Sequence, residues 1–201
     1  MIRPLLWLPV AALCLTPVVA QEASLLKQAE KLHALAAGQW CDGGWTGWDK
    51  ERADPEQWTF SYAPSYDSEN VQDITVIRLF CFAGAYNITH AYYWHREYEG
   101  LMPLSLAEPT FKATYADDDG LDGTLLDLKV TGMSASHVLT NSSFDPDTLT
   151  ISSDAPWRGL GDASSQGTWM FVDGDFTLKR FDIDASYDGE INPQNVVDYT
   201  E

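Results

Sequence analysis

Apolar and aromatic residues crowd into one nearly unbroken run from Val71 to Arg96, and its period of two predicts a pair of strands joined by a tight turn. Ile74, Val76, Phe80 and Phe82 fall on one face of the first strand, and Ile77, Leu79 and Cys81 on the other. Bulk on both faces predicts a central strand covered from both sides. Gly84-Ala85 breaks the run, after which Tyr86, Ile88, His90, Tyr92 and Trp94 alternate with Asn87, Thr89, Ala91 and Tyr93. That is the period, and the aromatic and β-branched composition, of a second strand.

Upstream the period changes to that of a helix. From Ser24 to Ala37, Leu25, Ala29, Leu32 and Ala36 share a face, Lys27 and Lys31 lie elsewhere, and Gly38 stands where a helix end accepts a left-handed residue. This helix is expected to pack on the sheet. Shorter strands are predicted at Trp58 to Tyr62, Leu101 to Leu106, Thr110 to Tyr115 beyond Glu108-Pro109, Thr124 to Val130, His137 to Thr140 and Thr148 to Ser152. Thr168 to Val172 and Phe176 to Ile183 flank Asp173-Gly174, a favoured hairpin turn. The fold class expected is mainly β, with antiparallel sheets in a sandwich-like arrangement and one N-terminal helix.

The first twenty residues stand apart. Arg3, an apolar stretch from Leu5 to Val19 and the small Ala20 form an export signal, so residues 1–20 are expected to be removed and 21–201 to form one domain. The stretch is shorter than a bilayer crossing needs, and Leu13 before Cys14 does not suit lipidation. Localisation is therefore expected to be periplasmic or secreted. Cleavage would remove only Arg3 among charged residues, so 12 Lys and Arg fall to 11 against 30 Asp and Glu, and the charge moves from −18 to −19. Such a surface argues against nucleic acid and for solubility, cations or a basic protein partner. Cys41 and Cys81 remain, and in an oxidising compartment an even pair most simply forms a disulfide.

Candidate chemistry is sparse. Trp40, Trp45 and Trp48 stand among glycines, where indoles either stack on sugars or close the end of a β core. The acidic turn Asp117 to Gly123 and the stretch Asp184, Ser186, Asp188, Asn192 with Gly189 at its bend resemble openings of calcium loops, although Asn195 replaces the closing glutamate. His90 and His95 are expected on opposite faces of one strand, which separates them as zinc ligands. No nucleophile elbow, Walker loop or His-Glu-x-x-His occurs. A carboxylate pair of a hydrolase has too many candidate members to be selected from the sequence. Asn87-Ile88-Thr89 and Asn141-Ser142-Ser143 match the glycosylation pattern, which matters only in a eukaryotic secretory pathway.

Two segments carry a resemblance: Leu79-Phe80-Cys81-Phe82-Ala83-Gly84-Ala85-Tyr86-Asn87, and Trp157-Arg158-Gly159-Leu160-Gly161-Asp162 followed by Trp169, Asp173-Gly174, Phe176 and Leu178. Over about residues 70–200 the chain resembles the exported bacterial family catalogued as domain of unknown function 1176. It departs from that pattern at Ala163, where many relatives carry a cysteine. The resemblance implies an envelope or secreted protein and brings no catalytic residue. On physical grounds Gly84, Gly159 and Gly161 permit sharp turns, Arg158 and Asp162 are expected to tie a loop by an ion pair, and Asn87 to bond a turn backbone. The function expected is a non-enzymatic binding or envelope-associated module for a basic protein. The alternatives are a calcium-dependent glycan binder using Trp45 and Trp48, and a carboxylate-dependent hydrolase.

Overall fold

A computed structural model describes residues 18–37, 41, 54–116 and 123–200, with side chains from Ser24 onward. The loop bearing Trp45 and Trp48 and the acidic turn at 117–122 lie outside the described residues. The chain is mainly β, with antiparallel sheets and one helix near its N-terminus.

The predicted hairpin is the centre of the first sheet. β2 (Gln72–Ala83) pairs with β1 (Glu56–Tyr62) on one side and with β3 (Ile88–Arg96) on the other; β3 also pairs with β4 (Gly100–Pro103) and β7 (Val138–Thr140). Ile74 and Val76 of β2 and Tyr92 and Trp94 of β3 face the main core, while Ile77, Leu79, Ala91 and Tyr93 face α1 (Val18–Ala36). Each face is covered by a different partner, which is why both faces of β2 are apolar.

A second sheet closes the sandwich. Its order is β12 (Gln194–Asp198), β11 (Asp175–Asp184), β10 (Ser164–Val172), β9 (Thr150–Pro156) and β8 (Ser143–Asp145). Ile151, Trp169, Phe176, Leu178, Phe181 and Ile183 meet the first sheet in one cluster. The β10–β11 turn is the predicted Asp173-Gly174, both residues at positive φ, 51° and 94°, as its twist requires. β5 (Leu106–Tyr115) and β6 (Leu125–Ser136) form a separate ribbon, joined to the core by Phe111 stacked on Trp157 with centroids 5.5 Å apart.

Four expectations need correction. A bulge leaves Cys81 as the extra residue, because Phe80 pairs with His90 and Phe82 with Thr89. One extra residue reverses the facing of the strand beyond it, so Phe82 leaves the face of Ile74 and is largely exposed. The helix begins earlier than Ser24, at Val18; Leu25, Ala29 and Leu32 pack as expected, but packing ends with His33 on Tyr93 and Ala36 is exposed. Leu101 to Leu106 is not one strand but is divided between β4 and β5. β5 also runs through Glu108-Pro109, because it pairs with β6 alone and a strand with one open side tolerates a residue with no N–H.

Candidate functional site

The two motif segments, about seventy residues apart in sequence, meet at one end of the sandwich. Gly84 donates its N–H to the Asn87 carbonyl at 2.7 Å, closing the β2–β3 turn. From that turn the Asn87 side chain donates to the Pro156 carbonyl at 2.8 Å, and the Tyr86 hydroxyl to the Trp157 carbonyl at 3.2 Å. Asn141 locks the other side: its amide donates to the Asn87 side chain at 3.0 Å and its oxygen accepts from the Ile88 N–H at 2.8 Å. The Asn141 backbone sits in the left-handed region, φ 42°, which asparagine tolerates better than most residues.

Arg158 and Asp162 form the expected ion pair. The guanidinium grips the carboxylate through two nitrogens, Nε at 2.6 Å, and a further N–H reaches the Tyr187 carbonyl at 2.8 Å. The Gly189 N–H completes Asp162 at 2.8 Å. Although Asp162 is only 1% exposed, the Arg158 hydrogen bonds outweigh burial and hold its pKa down to about 2. Gly161, at φ 74°, makes the turn between them. Gly159 lies against the Tyr86 ring, and a Cβ there would stand in ordinary contact, 3.7 Å away. These groups satisfy one another. Chemically the cluster is a clasp between hairpin, β9–β10 connection and the loop after β11.

The calcium-like stretch is part of the same end. Asp184 accepts from the Ser186 N–H at 3.0 Å, the Ser186 hydroxyl at 2.7 Å and the Asn192 N–H at 2.5 Å, while Asp188 accepts from the Glu190 N–H at 2.9 Å. Their oxygens hold the turn itself. Among the described residues no group of three or more His, Cys, Asp or Glu stands where it could hold a metal ion. Cys41 and Cys81 are joined by a disulfide. No helix among the described residues is long and apolar enough to cross a membrane.

His90 and His95 face opposite sides of β3, as expected, and line different depressions. His33 from α1 and the Tyr93 hydroxyl, 3.0 Å apart, form a third, partly buried group with His137 beside them. Burial lowers the His33 pKa, with repulsion from His137 adding and a Phe80 carbonyl opposing, and burial pushes Tyr93 up to about 12.

Two depressions flank the first sheet. A groove of about 800 Å³ runs between the first half of α1 and the outer face of the sheet, lined by Gln28, Thr59, Asp73, Thr75, His95 and Glu97 among others. Asp73 accepts from Ser61 at 2.8 Å, and the Thr59 and Thr75 hydroxyls meet at 3.0 Å. Among the described residues, no Lys or Arg lines it. Beside the clasp, a cavity of about 490 Å³ is lined by Asp54, Glu56, Arg78, His90, Asn141 and Ser142 with Ile88. There Arg78 pairs with Glu56, donates to the Ser142 carbonyl and lies 5.9 Å from the Trp58 ring. Neither depression was legible in the sequence. The signal for the second was Arg78 itself, the one charged residue inside the apolar run from Ile74 to Ala83.

Neither a curated protein nor a solved structure matches the chain. A family model described as protein of unknown function (DUF1176) does match, over residues 11–189, and the chain belongs to that family.

Proposed function

We propose that this protein is an exported, non-enzymatic binding module that takes a basic segment of a protein partner into the groove between α1 and the first sheet. The observation that carries this reading is the lining. Asp73 and Glu97 border a groove of about 800 Å³ whose described lining contains no Lys or Arg, in a chain of charge −18. A lysine or arginine side chain entering it meets carboxylates and hydroxyl acceptors and, among the described residues, no Lys or Arg. Export is supported by the leader pattern of residues 1–20 and by the Cys41–Cys81 disulfide. The clasp fits a supporting role, since Arg158 and Asp162 are engaged with one another and with the loop after β11.

Calorimetric titration of an oligolysine peptide into the oxidised protein tests this. Binding is expected at low ionic strength and should fade as salt is added. Replacing Asp73→Asn and Glu97→Gln together should weaken it about tenfold, the sum of two modest charge contacts. Equal binding by the double variant, or none by the unaltered protein, would refute the proposal.

A further inference from the structure

The cavity beside the clasp is built differently from the groove. Its floor carries hydrogen-bonding atoms removed from water. Arg78 and Ser142 line it, with the core residue Tyr92 beside them; Ser142 is 5% exposed and Tyr92 0%, and neither their hydroxyls nor the Arg78 Nε has a hydrogen-bond partner of good geometry. Burial raises the Tyr92 pKa, and hydrogen-bonding contact with the Ser142 hydroxyl and the Arg78 guanidinium opposes the rise, although these contacts fall short of good hydrogen-bond geometry. Asn141 fixes this floor. Its left-handed backbone and its bonds to Asn87 and Ile88 position the next residue, Ser142.

Burying polar groups without partners is costly. These three can all donate, and one of them carries a full positive charge. A planar anion with two oxygens matches such a set. Glu56 already places its carboxylate on Arg78, but from outside: its side chain is 43% exposed, and the Ser142 hydroxyl and the Arg78 Nε remain without a partner of good geometry. Returning so exposed a carboxylate to water costs little. A ligand carboxylate taking its place gains the guanidinium and the Ser142 hydroxyl as well.

We infer that this cavity is a binding site for the carboxylate of a small organic acid, with Glu56 as an internal stand-in that the ligand displaces. The site is separate from the acidic groove, and it stands or falls independently of the proposed basic partner. Asp54 at the mouth and the overall negative charge oppose polyanions, which favours a small acid with one or two carboxylates.

The test monitors the Arg78 Nε–H resonance of the oxidised protein, assigned by its loss in Arg78→Lys, during titration with acetate and with succinate. Sodium chloride at equal ionic strength and neutral succinamide serve as controls. Both acids are expected to move the resonance saturably, and the controls are not. Glu56→Gln removes the competitor and should tighten binding about fivefold, whereas Ser142→Ala should weaken it about tenfold. A purely structural ion pair predicts the reverse for Glu56→Gln: some loss of thermal stability and no gain in affinity. That result, or no saturable shift in both the unaltered protein and Glu56→Gln, or unchanged affinity in Ser142→Ala, overturns the inference.

Discussion

Gly167 has no side chain because Trp169 already occupies the space one would take. The indole is 0% exposed, donates to the Ala107 carbonyl at 2.7 Å, and lies so close that a Cβ at position 167 would fall inside contact distance of three ring atoms. Gly167→Ala must push a ring held by packing and by a hydrogen bond. A loss of about 1–3 kcal/mol is expected in urea denaturation, the range for overpacked cores; an unchanged midpoint would mean that the ring moves freely. Asp162 is a second residue whose role can be read directly. Its folded pKa of about 2 lies below the ordinary 3.8, so the stability it contributes is present above 3.8 and lost as pH falls through about 2. Asp162→Asn is therefore expected to lower stability at neutral pH and to flatten its fall across that acid window. Urea melts at a series of pH values check both parts.

At the level of elements, legibility tracked the number of covered faces. β2 and β3 were visible because each alternates between two apolar environments, the main core and α1. The bulge at Cys81 was not, since an inserted residue leaves the composition of the run unchanged while reversing the facing of Phe82. β8 and β12 were missed because they are short edge strands, largely exposed, with too few alternations to declare themselves. For the site, the motifs singled out Asn87 and the Arg158–Asp162 loop, but that the two segments meet required the fold. Arg78, Tyr92 and Ser142, drawn together from three separate stretches, required the fold. The loop after β11 shows the limit of pattern matching, because the spacing of Asp184, Ser186, Asp188 and Asn192 suits calcium, yet the Asp184 and Asp188 oxygens cap the N–H groups of their own turn. Calcium at millimolar concentration is accordingly expected to leave the melting temperature unchanged. A rise with calcium and not with magnesium would show that these carboxylates exchange their backbone partners for a metal.

Over the whole molecule, the sandwich buries one continuous core, and the Cys41–Cys81 bridge ties the segment after α1 to the middle of the first sheet. Closing a loop with 40 residues of separation contributes about 4 kcal/mol in the chain-entropy description. Replacing both cysteines by serine should cost about that much in chemical denaturation, and a much smaller loss would mean that the reduced chain is already held compact. The two depressions lie on unlike chemical ground: an acidic groove without Lys or Arg in its described lining, and a cavity lined by Arg78 and the Ser142 hydroxyl. They are expected to respond to opposite charges.

The central claim is that the groove beside α1, and not acidity spread over the surface, selects a basic partner. Amide chemical-shift mapping of the oxidised protein with an oligolysine peptide tests it most directly. The largest shifts are expected on Thr59, Asp73, Thr75, His95 and Glu97, saturating together. Shifts scattered over exposed acids remote from the groove lining, such as Asp145 and Asp147, with none concentrated in the groove, would contradict it.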